Sequence, residues 1–223
     1  MLTSLSPTRR AEMFRALRIS FILFLGFLIV TEQVLTKSYL YQFDHWIKRL
    51  KHHTFRGVSS HALLAMDDLG LRSFTAAVLL ITASFIGWRF KSWRPIYLSV
   101  SSLLLLNGVV GLSKLIFGRT KPRLALDLLH AGGLSYPSGH SANALLTWGM
   151  CAYLIYRYTH REPFEGIKLN WLVGLITITV CIVSLIRNTH WLSDLLGGVL
   201  IGGSLLVLLI AIDRAWPSTR QPS

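Results

Sequence analysis

The sequence predicts an all-α membrane protein: a bundle of six transmembrane helices with a short amphipathic interfacial helix between helices one and two. Of its 223 residues, 52% are hydrophobic and only 15% are charged, and the mean hydropathy is +0.50. Soluble domains of this length are less apolar. We expect one integral-membrane domain over residues 1–223, with the bundle at 18–213 and a tail at 214–223.

Six apolar stretches are long enough to cross the hydrocarbon core, which takes about 20 helical residues. They are residues 19–35, 69–88, 95–117, 140–158, 169–186 and 191–212. The first stretch continues through Glu32 and Gln33 with no small-residue cleavage site, so it is interpreted as helix one and not as a signal peptide.

Basic residues precede helix one and follow helices two, four and six. With six spans these segments share one side of the membrane, and the positive-inside rule makes that side the cytoplasm. Both termini are therefore predicted to be cytoplasmic, in what we expect to be a bacterial plasma membrane. The net charge of +13 does not predict nucleic-acid binding, because the cations neither cluster on a soluble face nor alternate with stacking aromatic residues.

The first segment on the opposite side, residues 36–68, contains the predicted interfacial helix. Apolar and polar residues alternate there at helical spacing, as in a helix that lies in the headgroup plane. The apolar set is Leu40, Phe43, Trp46, Ile47 and Leu50, and the polar set is Asp44, His45, Lys48, Arg49 and Lys51. A structural lid over the bundle is the favoured interpretation, and a gate for lateral lipid entry is the alternative.

The second segment begins with the run KLIFGRTKPR at the end of helix three. Its cations Lys114, Arg119 and Lys121 lie at a membrane edge, where burying uncompensated charge is expensive. We expect them to converge on a phosphate, with Gly118 and Pro122 bending the backbone around it. Snorkelling toward lipid headgroups is the alternative.

The same segment closes with PSGHSAN, which predicts the start of helix four. Ser138 is a suitable helix cap, and Gly139 allows close approach of a ligand to the backbone. Free amides at a helix N-terminus bind phosphate well. His140 follows one residue inside this helix.

The third segment contains His190 and Asp194, four residues apart at the start of helix six. This spacing puts both side chains on one helix face, where the carboxylate can accept a hydrogen bond from one ring nitrogen. The other nitrogen is then available as a nucleophile or a base. The pair faces a second histidine and a basic cluster, which favours catalysis over helix capping alone.

Together these segments resemble the type 2 phosphatidic acid phosphatase (PAP2) family, whose members carry K-x6-R-P, P-S-G-H and S-R-x5-H-x3-D. The matching positions are Lys114 with Lys121-Pro122, then residues 137–140, then His190 with Asp194. Two positions depart from the pattern. Lys121 replaces an arginine, and Ser184 stands where the third motif has its arginine.

Arg187 lies three residues after Ser184, which is nearly one helical turn. It is therefore a candidate substitute for the missing arginine and would contact the phosphate. The alternative is that Arg187 faces a lipid headgroup.

The resemblance implies a mechanism for hydrolysing a lipid phosphate. His190, oriented by Asp194, would attack the phosphorus to form a phosphohistidine, and His140 would protonate the leaving oxygen. The phosphate would be held by Lys114, Arg119, Lys121, Ser138 and the Gly139 amide, on the non-cytoplasmic side. No metal or other cofactor is required, and the sequence contains no evident acidic cluster for magnesium.

Three questions stay open at this stage. The substrate is a membrane lipid, for which polyprenyl diphosphate, phosphatidate and phosphatidylglycerol phosphate are all candidates. The phosphoryl group could pass to a second lipid instead of water, which would make the protein a phosphotransferase. A transporter or scaffold that only binds anionic headgroups is the non-catalytic alternative, although it leaves His140 and His190 without a role.

Overall fold

The computed structural model describes residues 7–49, 58–124, 127–159 and 163–215, and within these ranges all regular structure is helical. The helices are α1 (Pro7–Leu35), α2 (Tyr39–Arg49), α3 (Val58–Asp68), α4 (Arg72–Arg89), α5 (Arg94–Phe117), α6 (Gly139–Thr159), α7 (Pro163–Ile186) and α8 (Leu192–Ala215). One 3₁₀ turn covers Pro122–Leu124. The all-α class is confirmed.

Each predicted span falls on one long helix, namely α1, α4, α5, α6, α7 or α8. The boundaries agree within a few residues except at the starts of α1 and α7, which begin well before residues 19 and 169. At the other end, α8 continues to Ala215, so the predicted tail begins as helix. Residues 216–223 lie outside the described part of the chain.

The count of six membrane spans is not confirmed. Among the described residues, four helices are long and apolar enough to cross a membrane by themselves: α1, α5, α7 and α8. The pair α3 and α4, bent by 50° at a short break, passes only when taken together and would make a fifth. The predicted span on α6 does not pass.

Helix α6 fails the hydropathy criterion because it contains several polar residues, which its position inside the bundle permits. It packs against α4, α5, α7 and α8, and most of its side chains are buried by protein. Polar residues such as Ser141, Asn143 and Thr147 are therefore shielded from lipid tails. A helix in this position does not need an apolar surface.

Helices α6 and α8 approach closely because α8 has glycines at the contact. A Cβ atom on Gly198 would lie 2.2 Å from Ser141 Oγ and 2.4 Å from Ser138 O. No side chain fits at that distance without displacing one of the two helices. The glycine therefore sets how near the start of α6 comes to α8.

The predicted helix α2 is confirmed as a helix, but one residue of its polar set, Asp44, is buried in the protein. Asp44, predicted on the water-facing side, is only 1% exposed, whereas Phe43 and Trp46 are 44% and 50% exposed. The acid points into the protein because a buried cation is there to pair with it. Leu50 and Lys51, also assigned to this helix, lie outside the described residues.

At the end of the bundle away from α2, Asp213 of α8 joins three helices. Its carboxylate accepts a hydrogen bond from Arg94 Nε of α5 at 2.6 Å. It also pairs with Arg157 of α6 and accepts a hydrogen bond from Tyr153 Oη at 2.5 Å. This cluster fixes the helix ends whose basic residues the positive-inside rule assigns to the cytoplasm.

We predict that Gly198→Ala destabilises the protein by about 1–3 kcal/mol, because the new methyl group overpacks the contact between α6 and α8. Thermal unfolding in detergent, followed by tryptophan fluorescence, measures the effect. Gly174→Ala in α7 is the matched control, since nothing lies within 4 Å of a Cβ atom at that position. Equal unfolding temperatures for the two variants would contradict the prediction.

Candidate active site

The N-termini of α6 and α8 meet and bring the second and third sequence motifs together. Ser138 caps α6, since its hydroxyl accepts a hydrogen bond from the Ser141 amide at 3.4 Å. The Ser138 amide donates to the Asp194 carbonyl at 2.9 Å, and Ser141 Oγ donates to the Leu195 carbonyl at 3.0 Å. The predicted helix cap is thus present, and Ser138 is buried.

The two predicted catalytic histidines face one another. The ring centroids of His140 and His190 are 5.9 Å apart. His190 Nδ1 lies 3.5 Å from Asp194 Oδ2, which is longer than an ordinary hydrogen bond of about 2.7–3.2 Å. Such contacts commonly shorten when substrate binds. The structure therefore brings His140, His190 and Asp194 together, with a long contact between His190 and Asp194.

The Asp194 carboxylate is held by groups other than His190. Its Oδ2 accepts a hydrogen bond from the Trp191 amide at 2.9 Å, as an acidic residue in the first helical turn commonly does at a capped N-terminus. The Ser135 hydroxyl donates to the same oxygen. Its Oδ1 accepts a hydrogen bond from Arg119 Nη1 at 2.9 Å. The carboxylate consequently has a fixed orientation toward the histidine.

Arg119 is the centre of a buried charge network and is 0% exposed. Its guanidinium makes five hydrogen bonds, which use the five N–H groups of an arginine. The acceptors are Asp44, Asp127, Ser193 and Asp194. Burial by itself lowers the pKa of Arg119, but the bond to Asp127 and the surrounding negative charges outweigh that effect and raise the pKa.

This arrangement corrects the prediction that Arg119 binds phosphate, because the side chain has no donor left for a ligand. Its place is behind Asp194, where it positions the carboxylate that faces His190. The sequence reasoning missed Asp44, Asp127 and Ser193 as members of the network. A signal was present, since Asp44 is the single acidic residue in the otherwise basic helix α2.

The two predicted phosphate-binding lysines lie at the start of α6. A Cβ atom on Gly139 would be only 3.5 Å from Lys114 Nζ, and Lys114, Gly139 and His140 line one cavity. Lys121 is exposed, and its charge acts on His140 together with that of Lys114. The turn between the lysines depends on Gly118, whose φ of 54° lies in the left-handed region that glycine adopts readily.

Ser184 and Arg187 meet at one carboxylate. Ser184 Oγ donates to Asp67 Oδ1 at 2.8 Å, and Arg187 pairs with the other oxygen of Asp67. The guanidinium of Arg187 therefore lies close to Ser184, although Arg187 is three residues further along the chain. The charge of Asp67 also acts on His140, so this cluster borders the site. Contact between Arg187 and phosphate stays a prediction.

Comparisons with known proteins agree with this geometry. A model described as "PAP2 superfamily" matches residues 95–217, which is more than half of the chain. Phosphatidylglycerophosphatase B of Bacillus subtilis (strain 168) is 26% identical over 204 residues, covering 89% of this chain and 97% of that protein. Lipid A 1-phosphatase of Porphyromonas gingivalis is 33% identical over 116 residues, covering 51% of this chain and 23% of that protein.

A solved structure shares the fold. The crystal structure of the first transmembrane PAP2 type phosphatidylglycerolphosphate phosphatase, from Bacillus subtilis, superposes with a TM-score of 0.74 at 24% sequence identity. The match covers 90% of this chain and 98% of that one.

The class that follows is a multi-pass membrane phosphatase. Within that class, the chain belongs to the PAP2 superfamily.

We predict that Arg119→Met destabilises the protein by about 3–5 kcal/mol, because it leaves three buried carboxylates without their cation. Thermal unfolding in detergent is the measurement. Arg89→Met, at an exposed position on α4, is the control and is expected to unfold near the wild-type temperature. A wild-type unfolding temperature for Arg119→Met would show that the network contributes little.

Proposed function

We propose that this phosphatase removes the terminal phosphate of a membrane lipid through a covalent phosphohistidine at His190. The observation that carries the proposal is the facing pair of histidines, with Asp194 behind His190 and Lys114 beside the start of α6. Each group required by the reaction is within this one cluster. The alternative of a transporter or scaffold leaves both histidines unused and does not account for the phosphatase relatives.

The reaction would proceed in two steps. His190 Nε2 attacks the phosphorus, a new N–P bond forms, and the bond from phosphorus to the lipid oxygen breaks as His140 transfers a proton to that oxygen. A water molecule then gives a proton to His140 and attacks the phosphohistidine, which releases inorganic phosphate and restores His190. Asp194 stabilises the positive charge that develops on the His190 ring.

The negative oxygens of the phosphate would be held by positive groups at the start of α6. Lys114, Lys121 and the first amides of α6, beginning at Gly139, supply charge and hydrogen bonds, and Ser138 fixes the backbone that presents them. Arg187 would add a guanidinium from the Ser184 side. Charge stabilisation of this kind supplies most of the catalysis in phosphoryl transfer, so the mechanism requires no metal ion.

The substrate and the side of the membrane belong to the same proposal. The site lies at the opposite end of the bundle from Arg94, Arg157 and Asp213, which favours the non-cytoplasmic face under the positive-inside rule. Polyprenyl diphosphate, phosphatidate and phosphatidylglycerol phosphate all present a terminal phosphate at headgroup depth. Their chains remain in the bilayer beside the helices.

We predict that wild-type protein quenched during turnover contains an acid-labile phosphoryl group and that His190→Ala contains none. Phosphate release is expected to fall by at least about a thousandfold in His190→Ala, because the nucleophile is lost. Labelled lipid phosphate and denaturing electrophoresis at alkaline pH measure the intermediate. His61→Ala, at an exposed position on α3, is the control. Wild-type label retained in His190→Ala would contradict the assignment.

We also predict that purified enzyme releases free phosphate in the presence of a chelator and without a second lipid. This result follows if the acceptor is water and the charge is stabilised by side chains and amides alone. The measurement uses the three candidate lipids separately in detergent micelles. Inhibition by chelator would count against the metal-free mechanism, and release that requires an added acceptor lipid would identify a phosphotransferase.

A further inference from the structure

A cavity of about 190 Å³ adjoins His140, between α4, α5 and α6. A single water molecule needs about 10–15 Å³, so the cavity can hold a group much larger than one water molecule. One end is formed by the candidate site, through Lys114, Gly139 and His140. The other polar lining residues are Arg72, Asn107 and Asn143. Asn143 closes the PSGHSAN run, and none of the three residues has a role in the proposed mechanism.

Asn143 is the observation that points to a ligand. It is 5% exposed and lines the cavity. Within the described ranges, its backbone carbonyl accepts a hydrogen bond from Thr147, but its side-chain amide has no partner. Polar groups in protein interiors are nearly always hydrogen-bonded, so an amide that opens onto a cavity without a protein partner is available to a ligand or to water. A polar group of a bound substrate would supply the missing partner.

The sign of the charge around the cavity favours an anion. Arg72 opens α4 at the edge of the cavity, and its guanidinium forms no ion pair with any residue that the structure describes. No side chain caps α4 at Leu71, so the first amides of that helix are free. The N-terminus of α6 faces the same space at Gly139. Two helix N-termini and the cations Arg72 and Lys114 all stabilise negative charge.

The cavity extends from His140 along the helices toward the middle of the bundle. Asn143 lies about 4.5 Å further along α6 than His140, and Asn107 lies about 10 Å further along α5 than Lys114, from the helical rise per residue. Under the proposed mechanism, His140 protonates the leaving oxygen. The cavity therefore lies on the side of the leaving group, between the cleaved phosphate and the lipid chains.

Building on the proposed function, we propose that Arg72 and Asn143 form a second anion subsite that binds a second phosphate on the leaving-group side of the cleaved bond. Asn107 extends the subsite. Its Nδ2 donates to the Leu103 carbonyl at 2.7 Å, so its amide oxygen is left to accept a hydrogen bond from a hydroxyl group of the substrate. The substrate class is then a lipid with two phosphates close together. Polyprenyl diphosphate and phosphatidylglycerol phosphate have this chemistry, and phosphatidate does not.

Turnover of three lipids tests the subsite. For Arg72→Ala, kcat/KM on at least one two-phosphate lipid is expected to fall about tenfold more than kcat/KM on phosphatidate, because a charge-assisted contact is lost. Asn143→Ala is expected to act in the same direction. Arg89→Ala, at the other end of α4, is the matched control. A selective loss on one of the two lipids identifies which of them supplies the second phosphate.

An equal loss on all three lipids, or no loss on any, would overturn the subsite. A binding measurement that does not depend on turnover separates this proposal from the proposed function. Methylenediphosphonate and inorganic phosphate are titrated calorimetrically into the full chain in detergent. Arg72→Ala is expected to raise the Kd of methylenediphosphonate about tenfold and to change the Kd of phosphate much less.

Equal changes in the two Kd values would also reject the subsite. If no lipid releases phosphate while methylenediphosphonate still binds through Arg72, the proposed function fails and the subsite stands. If phosphate is released from phosphatidate alone and Arg72→Ala changes neither Kd, the proposed function stands and the subsite fails.

Discussion

The ion pairs of Arg119 are the interaction on which the rest of the site depends. A buried guanidinium is tolerated only when its charge and all its donors are satisfied, and three aspartates and a serine do this here. These partners come from α2, from the loop after α5 and from α8. The network therefore joins the interfacial helix to the carboxylate that faces His190. Tyr41 and Trp191 flank the guanidinium at 5.7 Å and 5.1 Å from their ring centroids and shield it from solvent.

The helices and the pairing of His190 with Asp194 were predictable because each leaves a local pattern in the sequence. Apolar length predicted the long helices, and the spacing of His190 and Asp194 placed both on one helix face. The role of Arg119 was not predictable in this way, since its partners Asp44 and Asp194 are separated by most of the chain. The orientation of α2 was missed for the same reason. A helical pattern separates polar from apolar residues, but it does not say whether the polar face meets water or a buried cation.

The failure of α6 to qualify as a span illustrates how the bundle accommodates chemistry. The helix that begins with Gly139 and His140 is surrounded by other helices, which isolate its polar residues from lipid. Polar groups inside a membrane are costly unless they face protein or a cavity, and Asn143 faces a cavity. Hydropathy measures suitability for lipid contact, so it underestimates a helix whose neighbours are protein. Of the polar positions that lower its hydropathy, His140 and Asn143 line the cavity.

His140 is held in place by the bend between α3 and α4, whereas His190 is not. At the bend, Gly70 lies so close that a Cβ atom would be 2.7 Å from the His140 carbonyl, and Trp148 Nε1 donates to the Leu69 carbonyl at 2.9 Å. His140 is thus set by backbone packing, and His190 is set by charge. A loss of charge in the Arg119 network acts first on His190, the proposed nucleophile. A change in bilayer thickness acts on the angle between packed helices and reaches His140, the proposed proton donor, first. Lipid composition and the charge of the Arg119 network would therefore act on different groups of the same proposed step.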